Sequence, residues 1–389
     1  MPIPGISNSN NFVFNSMDQY NKLFPEDSTF FFRPVPYTNK LLSKYVQKSR
    51  TPLPQNFTEY NYNDHKVKTL KFISAWSINN LHAILSHSIY WINHKYIDRF
   101  IKKEKISVIH AQYIYPDGLL ALILNKRFNI PYIITTHQEL KYFNSFLSRK
   151  IAISILKNAN KIIPLNFKNY NYFTSLGLKN MEVIPLGFDN SFLVRNPHNS
   201  NPDEFRIISV CELIKLKNID KVLFSISILR NRFNIRYSIV GRGDESEYLK
   251  QLTDHLGLSD IVDFYGYTEN YKLPEILGQH DLFVLPSYPE TFGRVYFEAM
   301  AAGLPVICSK NSGIFGYFPY LVDSHAIDPD NPDELAKKIE FFIENEEKRK
   351  ETGKTLQSLV SDFTWDNIAK KYEKLYHKAH QYSNLSNQL

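Results

Sequence analysis

The chain has little cysteine. Its two thiols, Cys211 and Cys308, stand in the apolar runs "RIISVCEL" and "PVICSK", which excludes a disulfide framework and reads as buried thiols in a reducing compartment. It also lacks any uncharged apolar run of the ~20 residues that a membrane-spanning helix needs. The start, "MPIPGISNSNNF", has neither the basic region nor the apolar core of a signal peptide. There is no long low-complexity tract, no zinc-ligand spacing, no helix-turn-helix and no aromatic RNA-binding signature, so nucleic acid is not an expected partner. A soluble or peripheral, cytoplasmic protein is expected.

What is present is a globular composition over 389 residues, longer than one hydrophobic core usually serves, which makes two domains the expectation. Charge divides along the chain. Residues 1–188 hold 23 Lys and Arg against 10 Asp and Glu, and residues 189–389 hold 23 against 29. A basic half joined to an acidic half suits an anionic partner, and an anionic membrane surface needs no motif to supply one.

From about residue 67, short β-rich runs alternate with helical patterns. "LHAILSHSIYWINHKYIDRFIKKEK" reads as one helix whose Tyr and Phe are expected to face the core, the alternative being an exposed aromatic-basic face suited to membrane docking, followed by the strand "ISVIHAQ", the helix "DGLLALILNKRFN" and the strand "PYIITTH". The second half repeats the rhythm with "FRIISVCEL", "IRYSIVG", "IVDFYGY", "LFVLPS" and "PVICS". In it, Asp244 is placed to cap the helix "DESEYLKQLTDHLGL" and Gly257 to end it. Such alternation specifies an α/β protein with parallel sheets and crossover helices, here two Rossmann-like domains facing across a cleft. The Asn- and Pro-rich stretch 187–205 is the linker candidate. Boundaries are set at 1–188, 189–362 and 363–389, the last a closing helix expected to pack back on the first domain. A first parallel strand before "MPIPGISNSNNFVF" is not visible, so that strand is missing or the domain opens differently.

Two acids draw attention in "PSYPETFGRVYFEAMAAGLPVI". A helix is expected to begin near Gly293, leaving Glu290 in the loop before it and Glu298 one to two turns in. Free N–H groups from Gly293 to Val295 attract anions, phosphate above all, and a glycine lets the backbone approach closely. A ligand with phosphates in the middle and a hydroxylated group at each end, such as a nucleotide sugar, would use all three features. Acids in a first helical turn also merely favour the helix dipole. "DPD" at 328–330 imitates a metal-binding Asp-x-Asp, but Asn331 and Pro332 suit a cap and first helical residue, so a turn is expected and no metal or other cofactor. "GRGD" lacks the third glycine of a dinucleotide fingerprint.

The surrounding string changes the balance. "LPSYPETFGRVYFEAMAAGLPVI", with "VIPLGFD", "ISVCELIKLKNIDKVL", "YSIVGRGDE" and "VDFYGYTEN" in order, resembles the blocks of the retaining GT-B glycosyltransferases of family 4, the group 1 glycosyl transferases. "PVPYTNKLLSKY", "IHAQYIYPDGLLAL" and "IITTHQE" resemble a branch that builds bacterial surface polysaccharides. The resemblance implies roles. Glu290 would bind donor-sugar hydroxyls near the reacting carbon and Glu298 the ribose. The amides of Phe292, Gly293, Arg294 and Val295 would meet sugar and diphosphate, and Lys217 would neutralise the leaving diphosphate. His137 would touch the sugar, Gly241 and Gly243 would leave room for the nucleotide, and Gly266 and Tyr267 would line the base pocket. His110, Asp117 and Glu139 are acceptor-side candidates. The sequence departs from the pattern at Cys211-Glu212-Leu213, where the family has Gly-Arg-Leu, and Glu212 is expected to orient Lys215 or Lys217. The implied activity is transfer of a sugar, with retention, from a nucleotide-diphosphate donor to a glycan or lipid-linked hydroxyl at the inner face of the membrane. The alternatives are another GT-B enzyme, such as a nucleotide-sugar epimerase, and an inactive sugar-nucleotide-binding partner protein.

Overall fold

The computed structural model describes residues 12–37, 59–62, 65–73, 79–137, 140–193, 203–311 and 313–386. It divides into two compact units. The first comprises Met1–Leu165, Asn169–Ile184 and Ala369–Leu389, and the second Asn166–Lys168 and Pro185–Ile368.

Among the described residues, the first elements of the first unit are the helix Phe12–Leu23 and the strand β1 (Phe31–Tyr37), both earlier than the sequence pattern becomes regular. β2 (Glu59–Tyr62) and β3 (His65–Ile73) follow, with β3 between a parallel β1 and an antiparallel β2. A second sheet holds β4 (Ile109–Ala111), β5 (Tyr132–Thr136) and β6 (Lys161–Pro164), all parallel in the order β4-β5-β6. β5 is buried at every position, as a strand covered on both faces must be. Tyr132, Ile134, Ile155 and Phe173 anchor one core cluster, and Leu70, Phe72, Tyr90 and Leu124 another.

The single helix expected from residue 81 is two, Asn79–Leu85 and Ser88–Glu104. At the join the Ser86 hydroxyl donates to the His82 carbonyl at 2.7 Å, a local bond that competes with helix continuation. The longer helix buries Ile89, Tyr90, Ile97 and Ile101 at helical spacing. Tyr90 faces the core as expected, while Trp91 is 70% exposed, one position round from that stripe.

A cavity of about 550 Å³ lies within this unit, between β1 and β4.

The second unit has one continuous sheet. β7 (Phe205–Val210), β8 (Ile235–Val240), β9 (Val262–Gly266), β10 (Leu282–Leu285) and β11 (Val306–Cys308) are all parallel, in the order β11-β10-β7-β8-β9. Taken in chain order this is 5-4-1-2-3, the doubly wound arrangement, and the chain reverses its direction of growth between β7 and β10. Loops leaving the carboxyl ends of those two strands border the crevice where such sheets bind ligands. The helix after β8 runs Ser246–His255 and is not capped by Asp244. Instead the Ser246 hydroxyl accepts from the Gly243 amide at 3.1 Å. Gly257 (φ +65°) follows its end as expected. Asn331 caps the helix Pro332–Glu344 through its side chain, and Asp328 closes the preceding turn by accepting from the Asp330 amide.

Candidate functional site

Two loops meet at the switch point of the second unit. One leaves β7 and runs through Cys211, Glu212 and Leu213 to a short turn, Lys215–Lys217. The other leaves β10 and runs from Pro286 to Phe292. Backbone and side-chain bonds tie them together. The Tyr288 amide donates to the Leu216 carbonyl at 2.9 Å, and the Asn218 side-chain amide donates to the Pro286 carbonyl at 2.8 Å.

The result is a short contact between two groups that are 73 residues apart in sequence. Lys217 Nζ lies 2.5 Å from Glu290 Oε2, with the side chains 20% and 15% exposed. The Ser287 hydroxyl donates to the same oxygen at 3.1 Å, and the Thr291 amide donates to Oε1 at 3.0 Å. An ammonium, a hydroxyl and an amide thus converge on the Glu290 side chain. The expectation that Glu212 orients Lys215 or Lys217 is corrected here. The β10 loop places Glu290 against that lysine, and among the described residues Glu212 makes no ion pair with Lys215 or Lys217.

The helix that follows spans Arg294–Ala301, with Gly293 as its N-cap in left-handed conformation (φ +72°, ψ +64°). A Cβ at Gly293 would lie 2.5 Å from two ring carbons of Tyr296 and 3.3 Å from Glu290 Cγ, so only glycine fits this corner. Tyr296 in turn donates its hydroxyl to the Leu285 carbonyl at 2.5 Å, which pins the helix start to the end of β10. Phe292 is buried and stacks on Phe297 at 4.7 Å. Val295 lies in the first helical turn beside the cap. Glu298 is buried and accepts from Arg294 Nε at 2.8 Å, one helical turn away. The anion-attracting helix end and both acids of the sequence reading therefore fall on one stretch of 9 residues, Glu290 to Glu298.

A third loop completes this side. Gly241, at the end of β8, has φ +143°, and a Cβ there would meet the Cys211 carbonyl oxygen at 1.8 Å. Its amide donates to the Gly266 carbonyl at 2.8 Å, and the Arg242 carbonyl accepts from Leu213 at 3.0 Å next to Gly243. These bonds bring the β7, β8 and β9 loops into contact. Sequence reading passed over Arg242, whose guanidinium lies 4.8 Å above the half-exposed Tyr267 ring. The signal was there in "GRGD", read only for its glycines. Cys211, against Gly241, has its thiol pushed up to about 12 by burial.

The candidates from the first half lie in the first unit. His137 follows β5, packs against the Tyr113 ring at 4.7 Å with the planes tilted by 31°, and is held by burial well below the usual imidazole range, at about 4. Its carbonyl accepts from the Asn169 side chain at 2.7 Å. His110 is engaged at both ring nitrogens, Nδ1 with the Tyr376 hydroxyl and Nε2 with Thr135 Oγ1, each at 2.8 Å. Burial lowers its pKa to about 3. Asp117 sits in the turn Ile114–Gly118, its pKa raised by burial to about 7. Glu139 lies outside the described residues.

Comparison with known proteins agrees with this layout. Residues 191–359 match the family Glycosyl transferases group 1, and residues 72–192 match Glycosyltransferase Family 4. The uncharacterized glycosyltransferase MJ1607 of Methanocaldococcus jannaschii is 29% identical over 194 residues, and the match spans half of each chain. The O-antigen biosynthesis glycosyltransferase WclY of Escherichia coli is 28% identical over 70% of this chain and 79% of its own. Among solved structures, HepE of Anabaena in complex with UDP superposes with a TM-score of 0.66 at 18% identity, covering 96% of this chain and 97% of that one. The fold is GT-B, two Rossmann-like domains, as the alternation of strands and helices implied.

Proposed function

From a chain that joins a Glycosyltransferase Family 4 domain to a group 1 glycosyl transferase domain, we infer a glycosyltransferase that moves a sugar from a nucleotide-diphosphate donor to a hydroxyl of a glycan or lipid-linked acceptor, with retention of anomeric configuration. The observation that carries this reading is the Lys217–Glu290 pair at the switch point, immediately before a helix N-terminus. Departure of a nucleoside diphosphate builds negative charge on phosphate oxygens. A lysine and the free amides of Gly293 to Val295 are fixed positive potential for that charge, present before the reaction and needing no reorganisation. An ammonium has three donors, so Lys217 can keep Glu290 oriented while it meets a phosphate. Glu290 then accepts from sugar hydroxyls, Glu298 from the ribose, and the Gly266–Tyr267 loop with Arg242 lies against the base. His137 is proposed to touch the sugar near the reacting carbon. No metal ion is required in this scheme, because lysine and helix terminus supply the charge.

HepE binds UDP, which supports a uridine donor, and WclY belongs to O-antigen biosynthesis, which supports a surface-polysaccharide acceptor. Among the described residues no helix is long and apolar enough to cross a membrane. The anionic membrane surface proposed as partner would meet the basic first half, where Trp91 and Phe146 are 70% and 83% exposed. Co-sedimentation with anionic liposomes at low salt, lost as ionic strength rises, is expected, since surface attraction is screened over ~10 Å at 0.1 M. Equal binding to neutral vesicles would refute the electrostatic part.

The site itself is tested with Glu290→Gln, assayed for sugar transfer in EDTA. The substitution keeps the shape and most hydrogen bonds but removes the charge. Turnover should fall by about a hundredfold or more, the scale of losing a preorganised electrostatic contact. Melting temperature should stay near wild type, because the group is in a loop. Near-normal transfer by the variant, or activity in wild type that only added Mg²⁺ or Mn²⁺ restores, would sink the scheme.

A further inference from the structure

The helix Arg294–Ala301 of the second unit carries a charged pair at its start. Arg294 is its first residue, and Glu298 follows one turn later. Arg294 Nε donates to Glu298 Oε1 at 2.8 Å. The two side chains differ in exposure, 33% for the arginine and 4% for the glutamate. Helical side chains lean toward the N-terminus, so the Glu298 carboxyl and the guanidinium bonded to it lie over the first turn. That is the turn whose own amides have no acceptor within the helix.

The bond uses little of what either group offers. A guanidinium has five N–H donors in a fixed fork, and a carboxylate accepts at both oxygens. Among the described residues, Nε to Oε1 is the bond that joins this pair to the protein, through one donor and one oxygen. The Nη donors and Oε2 are left for a ligand. A carboxylate as buried as Glu298 is costly to keep charged unless its cation is held in place, and here that cation reaches the surface at a helix N-terminus.

The charge around the proposed donor site calls for such a group. The diphosphate of a nucleotide sugar is doubly charged. Of the cations on the loops that border it, Lys217 is bonded to Glu290 and Arg242 lies over the Tyr267 ring. The β7 loop also brings an exposed acid, Glu212, to this side. A planar guanidinium matches two phosphate oxygens at once, which an ammonium cannot do.

We propose that the Arg294 side chain, beyond its backbone amide, binds the donor's diphosphate through its Nη donors, while Glu298 holds it by Oε1 and accepts from the ribose by Oε2. The proposal rests on the nucleotide-donor reading given above. It makes the pair a single device that reads ribose and phosphate together. Glu298 contacts the sugar of the nucleoside, and the arginine it positions contacts the adjoining phosphates. The competing role is a purely structural one, in which Arg294 only neutralises a buried acid.

The test titrates a nucleoside diphosphate and its nucleoside into full-length wild type and Arg294→Gln, read by ligand-observed NMR. The pair is UDP with uridine, or GDP or ADP with its own nucleoside where wild type binds that diphosphate more tightly. Glutamine can still donate to Glu298 but carries no charge. Diphosphate affinity should fall about tenfold or more, the loss expected of a charge-assisted contact, and nucleoside affinity by no more than about twofold. The salt dependence of diphosphate binding should flatten as well, since one cation fewer meets the phosphates. If Arg294→Gln does not fold, Glu298→Gln is compared with the double variant Arg294→Gln/Glu298→Gln, where no buried carboxylate lacks its cation. The added substitution should again cost the diphosphate alone. Equal losses for diphosphate and nucleoside would leave Arg294 the structural role and overturn the proposal, as would unchanged diphosphate binding. Wild type that binds none of UDP, GDP and ADP would sink the nucleotide-donor reading itself, and the proposal with it.

Discussion

The two units repeat one plan, and they differ at its centre. In the second, a continuous parallel sheet has β7 in the middle, and the loop leaving that strand delivers Lys217 to Glu290 across the switch point. In the first, the described strands form two three-stranded sheets, and β1 and β4 border a cavity of about 550 Å³. A doubly wound domain builds its ligand crevice from the loops after its first and fourth strands. The central strand is thus what aims the site as well as what fills the core. The second unit has both; in the first, among the described residues, His110 lies on β4, His137 follows β5 and Asp117 stands in the turn between them.

The largest effect that would sharpen this contrast is expected at Gly241. Gly241→Ala would drive Cβ to 1.8 Å from the Cys211 carbonyl oxygen, a backbone atom that cannot turn aside, at a φ of +143°. Loss of about 4 kcal/mol or more, or insoluble protein, is expected from such a core clash. Gly177→Ala in the first unit is the control. It shares a positive φ, +72°, but nothing lies within 4 Å of its Cβ position, so about 1 kcal/mol is expected. Urea unfolding of the two variants decides it, and equal costs would show that the tie between the β7 and β8 loops is not what the second unit depends on.

Acid should separate the units next. His82, His110 and His137, all in the first unit, are held by burial at about 4, 3 and 4, while His325 in the second is held at about 4. Each is neutral when folded and takes up a proton near pH 6.5 when unfolded. The unfolded chain therefore binds more protons below pH 6.5, and stability falls from there down to each folded pKa, by at most about 1.4 kcal/mol per pH unit per histidine. Asp117 works in the opposite direction. Its folded pKa is raised to about 7, so it adds stability as pH drops from 7 toward 4 and cancels about one histidine. In the second unit Asp323, also raised by burial, opposes His325. The first unit should thus open first between pH 6 and 4, read by hydrogen exchange at β5 against β7. The reverse order would break the assignment of these histidines to buried, neutral positions.

Much of the second unit was legible because buried parallel strands read as continuous apolar runs, and "RIISV", "YSIV" and "LFVL" are such runs. The helix start at Gly293 was legible from a glycine before a helical pattern. The first unit was less so. β3, "HKVKTLKFI", alternates buried and exposed positions and carries three lysines, and β1 contains Pro34 and Pro36, so neither reads as an interior strand. The break at Ser86 left no mark in the hydrophobic pattern, because it depends on one side-chain hydrogen bond. At the site, the two acids and Lys217 could be named separately. Their contact could not, since it rests on the Tyr288 amide and Leu216 carbonyl joining two distant loops.

The smallest expected effect is at Glu212, and it probes whether the β7 loop is tuned for an anion. The side chain is exposed, and Lys217, which sequence proximity offered as its partner, is bonded to Glu290 instead. Nothing in the fold then requires an acid at 212, so Glu212→Arg should change stability by no more than about 0.5 kcal/mol. Its charge still lies on the loop that borders the proposed diphosphate position. Replacing repulsion by attraction there should tighten UDP binding, but an exposed charge is screened, so a gain of about threefold to tenfold at low salt is expected, shrinking as salt rises. Titration of UDP into both proteins at two ionic strengths measures it. Weaker binding by the arginine variant would mean that Glu212 orients the site after all and that Lys217 is shared between two acids.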